Sequence, residues 1–101
     1  MKKLEPASAA ALLSALPDWT HDRQRDAITR EFEFRDFIQA FSFMTQLAIV
    51  AEKRNHHPEW SNTYKRVEVT LTSHAAKGLT RNDIELAQDM DRFAAGITAD
   101  R

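Results

Sequence analysis

The spacing of apolar positions changes repeatedly along this chain, and each change marks an element. From Ala7 to Leu16 the apolar residues Leu12, Leu13 and Leu16 suit a short helix, with Pro6 in its first turn and Pro17 ending it. Between Trp19 and Phe34 the pattern turns strand-like: Ile28, Phe32 and Phe34 are interleaved with Glu31 and Glu33, and Arg23 to Asp26 reads as the polar turn of a hairpin. His21 falls on the first of these strands, where a solvated position is expected.

Asp36 opens a long helix. Gln39 follows three residues later, the spacing of a capping box that satisfies free backbone N–H groups. Phe37, Phe41, Met44, Ala48 and Ala51 then form one apolar stripe, and Phe43, Leu47 and Val50 a second. One stripe suffices to cover a sheet, so the other points to self-association. Further on, Val67, Val69 and Leu71 alternate with Arg66, Glu68 and Thr70, the signature of a half-buried strand. Trp60 to Tyr64 is its expected hairpin partner, turning near Lys65. The last helix has Thr80 as N-cap, Asp83 at its third position and a Leu79–Ile84 staple. Its expected buried positions are Leu86, Ala87, Met90, Phe93 and Ala94, and Gly96 is expected just past its end. The order α-β-β-α-β-β-α gives an α+β domain, most simply a four-stranded antiparallel sheet with helices packed on one face.

Composition narrows the function classes. The 101 residues are one domain by size, spanning 1–101, and 43% hydrophobic content supports a core. A net charge of −1 supplies no basic field to recruit nucleic acid or an anionic membrane. There is no cysteine, hence no disulfide framework and no thiol chemistry. The start, Met1-Lys2-Lys3-Leu4, faintly mimics a signal peptide, but Glu5 and Pro6 interrupt it, so a cytoplasmic helix is expected. No stretch reaches membrane-spanning length.

The chemistry is concentrated between Glu52 and Asp83, which hold three of the four histidines, His56, His57 and His74. Imidazole is the side chain that exchanges protons near neutrality, and several imidazoles beside carboxylates can supply an acid, a base and an orienting group. Glu52 lies one helical turn before His56 and is the expected partner that fixes its tautomer. Pro58 forces His57 out of the helical region, so the adjacent rings should point in different directions. Simpler readings exist: a His pair after a helix is often a polar turn, and Asp83 is explained by capping alone unless its second oxygen faces a pocket. A zinc site is the sharper rival, but no histidine pair has helical ligand spacing, so no metal is expected.

Written as a string, the stretch is Glu52-x3-His56-His57-Pro58-x5-Tyr64-x9-His74-x8-Asp83. It resembles the signature of the pterin-4a-carbinolamine dehydratases, also called 4a-hydroxytetrahydrobiopterin dehydratases. Weaker similarity extends through Trp19, Phe32-Glu33-Phe34-Arg35-Asp36-Phe37, Phe41, Gly78-Leu79-Thr80 and Leu86-Ala87. Asp18 and Lys65 depart from the family's pattern, both at expected turns. The resemblance implies the same four-stranded fold and a lyase, requiring no cofactor, that dehydrates a 4a-hydroxylated tetrahydropterin to quinonoid dihydropterin. It further implies a link to tetrahydropterin-dependent aromatic amino acid hydroxylases, and a homodimer or homotetramer is expected.

On that reading His57 and His74 carry the proton transfers, His56 holds and polarises the pterin with support from Glu52, and Asp83 orients a histidine. Asn55, Thr72 and Ser73 are candidate partners for the pterin edge, with Trp60 as a wall. Two other classes compete. A binding module, like family members that double as dimerization cofactors of a homeodomain transcription factor, needs no intact histidine set. A metal-dependent hydrolase would lose activity to chelators.

Overall fold

The computed structural model describes residues 2–99. Helix α1 spans Pro6–Leu13, strands β1 and β2 span Thr20–Asp22 and Ala27–Glu33, and helix α2 spans Phe37–Arg54. Strands β3 and β4 follow at Glu59–Thr63 and Arg66–Leu71, then a 3₁₀ turn at His74–Ala76 and helix α3 at Arg81–Ala99. This is the α-β-β-α-β-β-α order expected from the sequence, with all strand pairs antiparallel.

The sheet order is β1-β2-β4-β3, so two hairpins meet through their second strands. Alternation assigns the faces. Ile28 and Phe32 of β2 pair with Leu71 and Val67 of β4, and all four are buried. Their neighbours Glu31, Glu33, Arg66 and Glu68 are exposed on the opposite side. Against the apolar face pack Ala40, Phe43 and Leu47 of α2 and Ile84, Leu86, Ala87 and Met90 of α3. Phe43 stands 4.7 Å from Phe32 and 5.2 Å from Phe34, ring centre to ring centre, within the range of favourable aromatic pairs.

Helix α2 starts as the sequence indicates. The Asp36 carboxylate accepts from the Gln39 N–H at 2.9 Å, and the Gln39 side-chain oxygen accepts from the Arg35 N–H at 2.9 Å. Its two stripes separate differently from expectation: Ala51 joins Ala40, Phe43 and Leu47 in the buried stripe, while Phe37 and Phe41 stay exposed beside Ile38 and Ile49. Helix α1 ends at Leu13, short of Pro17, and Leu16 reaches the core from the turn that follows. Helix α3 runs through Gly96 to Ala99. The expected stop fails because Ile97 still packs against the core and its carbonyl accepts from the Gln39 side chain at 3.3 Å.

Register brings three connections to one end of the sheet. Ile28 lies opposite Leu71, and Glu59 lies opposite Thr70. The β1–β2 turn, the α2–β3 link and the β4–α3 loop therefore gather where the N-terminus of α3 also begins.

Candidate active site

The α2–β3 link begins at Asn55, whose left-handed backbone (φ 52°) ends the helix. Asparagine tolerates this conformation better than most residues. The His56 N–H returns to the Ala51 carbonyl at 3.0 Å, closing the helix and turning His56 inward. Helical periodicity therefore stops one residue before His56. That overturns the expected Glu52–His56 pair: Glu52 Oε1 instead meets His57 Nε2 at 2.8 Å, both side chains exposed.

His56 is anchored from below. Its Nε2 lies 2.5 Å from Oδ1 of Asp83, which is fully buried. The other oxygen of Asp83, Oδ2, accepts from the Thr80 N–H and from the Ser73 hydroxyl, each at 2.9 Å. The capping role and the histidine-orienting role of Asp83 thus use different oxygens of one carboxylate. Its place in the first turn of α3 also sets it in the favourable end of the helix dipole. Burying a carboxylate is costly unless its acceptor sites are filled, and among the described residues no buried side-chain polar atom lacks a partner.

The β4–α3 loop supplies the third imidazole. Ser73 and Gly78 exchange backbone hydrogen bonds of 3.0 and 3.2 Å, pinching off a tight loop with His74 at its head. His74 is largely exposed, and its Nε2 lies 3.0 Å from Oε2 of Glu59. Glu59 is in turn gripped by both terminal nitrogens of Arg25, at 3.1 and 2.8 Å. The hydrogen bonds from Arg25 and then from His74 hold the Glu59 carboxyl down at about 2, against an ordinary 4.5. The same contact raises Arg25 above its usual value.

All three imidazoles face one open cavity of about 640 Å³, together with Asn55, Pro58, Glu59, Thr72, Ser73, Thr80 and Asn82. A common wiring runs through it: the Nε2 of each ring is tied to a carboxylate, Asp83 for His56, Glu52 for His57 and Glu59 for His74. An ionised carboxylate only accepts, so a carboxylate in that form fixes the ring hydrogen on Nε2 and leaves Nδ1 as the other nitrogen of the ring. Such fixed rings can hand protons to a bound molecule or take them from it. Among the described residues no group of three or more His, Asp or Glu side chains is arranged to hold a metal ion.

Thr72 and Ser73 line the cavity and are also bonded within the protein, whereas Trp60, Tyr64 and His21 stand outside it. The Thr72 hydroxyl donates to the Asp26 carbonyl at 3.0 Å, and the Ser73 hydroxyl is engaged with Asp83 and Thr80, so both spend their protons within the protein. Trp60 does not line this cavity; it packs against the core and borders a separate cleft with Thr29 and Glu68. Tyr64 sits at the β3–β4 turn with φ 53°, exposed. His21 is half-buried rather than solvated, 2.8 Å from Asp26 Oδ1. Glu59 and Arg25 escaped the sequence reading. The Glu59-Trp60 start of β3 carries no local mark, and its partner lies in another hairpin.

Residues 2–93 match the family described as Pterin 4 alpha carbinolamine dehydratase. A relative from Bradyrhizobium sp. (strain ORS 278), provisionally named a pterin-4-alpha-carbinolamine dehydratase, is 54% identical over 98 residues, covering 94% of this chain and 98% of its own. One from Burkholderia vietnamiensis (strain G4 / LMG 22486) with the same provisional name is 54% identical over 93 residues, covering 92% of this chain and 91% of its own. The crystal structure of a transcriptional coactivator/pterin dehydratase from Brucella melitensis superposes with a TM-score of 0.89 at 46% identity, covering 92% of this chain and 99% of that one. A pterin dehydratase-like RuBisCO assembly factor of the alpha-carboxysome shares the fold, with a TM-score of 0.68 at 22% identity over 76% of this chain and 89% of that one.

Proposed function

The chain belongs to the pterin-4-alpha-carbinolamine dehydratase family, and from that premise we propose that its carboxylate-held imidazoles carry the protons of the dehydration. The enzyme is a hydro-lyase acting on a pterin carbinolamine. The reaction breaks the C4a–OH bond, removes the proton from N5 and forms the C4a=N5 double bond. One proton enters the departing hydroxyl and one leaves N5, so water is released and no electrons are exchanged with a partner.

The observation that carries this reading is the shared cavity of His56, His57 and His74, each ring with Nε2 on a carboxylate. His57 and His74 stand at the accessible side and serve as proton donor and acceptor. His56, nearly buried above Asp83, holds and polarises the pterin. Asn55 borders the same cavity and offers its amide to the pterin edge. Positioned acid–base groups typically contribute about 10²–10⁴-fold to such a step.

The product, a quinonoid dihydropterin, suits an enzyme working beside aromatic amino acid hydroxylases and a reductase in the cytoplasm. No helix among the described residues is long and apolar enough to cross a membrane. The exposed Phe37, Ile38, Phe41 and Ile49 give α2 an apolar outer face, which a second copy of the chain covers in a homodimer or homotetramer.

The direct test mixes the protein with freshly generated 4a-hydroxytetrahydropterin and follows formation of the quinonoid product, with and without a chelator. Acceleration that persists in chelator is expected. A rate equal to the spontaneous one would end the dehydratase reading, and a rate abolished by chelator would replace it with metal-dependent chemistry.

A further inference from the structure

The turn between β1 and β2 contributes nothing to the signature read from the sequence, yet two of its residues reach the active-site end of the sheet. Arg25 clasps Glu59 through two parallel hydrogen bonds, 3.1 Å to Oε1 and 2.8 Å to Oε2. Paired guanidinium–carboxylate contacts fix orientation as well as distance, which a single ammonium does not. Oε2 also accepts from His74 Nε2 at 3.0 Å, so both oxygens of Glu59 are committed. The neighbouring residue, Asp26, accepts at its carbonyl from the Thr72 hydroxyl at 3.0 Å and at Oδ2 from the Leu79 N–H at 3.2 Å. These contacts grip both ends of the loop that carries His74.

We propose that Arg25 and Glu59 are positioning residues for His74: the guanidinium locks the carboxylate, and the carboxylate holds the imidazole with Nε2 protonated and Nδ1 free for the substrate. The inference rests on the dehydratase reading only for the role of His74 in turnover; the geometry of the relay is independent of it. His74 is mostly exposed and sits at the head of a small loop, so without the relay its ring samples both tautomers and several rotamers. Arg25 Nη1 and Nη2, both Glu59 oxygens and His74 Nε2 are joined to one another at this junction, so the relay acts without requiring Arg25 or Glu59 to touch the pterin.

The test combines kinetics with ¹⁵N NMR of the histidine rings in the intact protein. Glu59→Gln and Arg25→Ala should each lower kcat about three- to tenfold and leave KM within about twofold, as expected when a proton carrier is misplaced rather than substrate binding lost. Arg25→Lys should recover only part of the loss, because it restores charge without the two-pronged grip. Glu59→Gln added to His74→Ala should cost nothing further, since a positioning residue acts only through the group it positions. In the spectra, wild-type His74 should show a protonated Nε2 and an unprotonated Nδ1, and Glu59→Gln should give a mixture of tautomers. Independent, multiplying losses from Glu59→Gln and His74→Ala would overturn the relay, as would an unchanged His74 spectrum in Glu59→Gln. If the wild-type protein fails to dehydrate the substrate, the functional reading falls, and the spectra alone still decide whether Glu59 sets the His74 tautomer.

Discussion

Asp83 shows how much one side chain can do when its two oxygens face different neighbours. Oδ2 closes the first turn of α3 through the Thr80 N–H, and Oδ1 orients His56. Asp83→Ala should therefore destabilise the fold by about 1–3 kcal/mol, the cost of stranding buried donors, and also lower kcat. Thr80→Ala removes the cap that the Thr80 hydroxyl gives the Asn82 N–H and should cost about 1 kcal/mol with a much smaller kinetic effect. Chemical denaturation and steady-state assays of the two variants separate the roles. Glu59 supplies a pH test. Its carboxyl, held at about 2 against an ordinary 4.5, contributes stability that is complete above about pH 4.5 and is lost as pH falls toward 2. The stability difference between wild type and Glu59→Gln should shrink across that window in acid-denaturation curves, modestly, because the pair is partly exposed. The motif histidines and Asp83 were legible at this scale because their residue types and spacing are unusual. The pairing of His56 was not, because a left-handed Asn55 breaks the helical register on which the Glu52–His56 expectation rested.

Elements were easier to read than their ends. Capping residues announced the start of α2 and the cap of α3, and alternation in β4 announced its buried face. The end of α3 departs from the expectation of a stop at Gly96, because contacts made beyond that glycine carry the helix onward to Ala99. The two glycines make opposite predictions. A Cβ at Gly96 meets nothing within 4 Å, so Gly96→Ala should stabilise the protein by roughly 0.5–1 kcal/mol through helix propensity. A Cβ at Gly78 would stand 2.3 Å from Asp26 Oδ2 and 2.7 Å from the Lys3 side chain. Gly78→Ala should destabilise the protein and reduce turnover, because the collision displaces the carboxylate that accepts from Leu79 N–H beside the His74 loop. Urea titrations of both variants check the signs.

For the whole molecule, the sheet order matters more than any motif. Pairing β2 with β4 at the centre brings the β1–β2 turn beside the ends of α2 and β4, and thereby joins Arg25 to Glu59 across 34 residues of sequence. No periodicity in the chain encodes that neighbourhood, which explains why the supporting groups were invisible until the strands were placed. The apolar residues of α2 divide between core and surface differently from expectation, with Phe37, Ile38, Phe41 and Ile49 exposed on its outer face. If the proposed homo-oligomer forms through this face, Phe41→Glu should shift the protein toward monomer in sedimentation measurements at micromolar concentration; an unchanged sedimentation profile would contradict that interface. The most direct test of the central claim is the rate of dehydration of freshly generated 4a-hydroxytetrahydropterin by His57→Ala, by His74→Ala and by the double variant, each shown to be folded. The account predicts losses of about 10²–10⁴-fold in kcat for the double variant, with smaller losses for each single change, whereas a double variant as fast as wild type would contradict it.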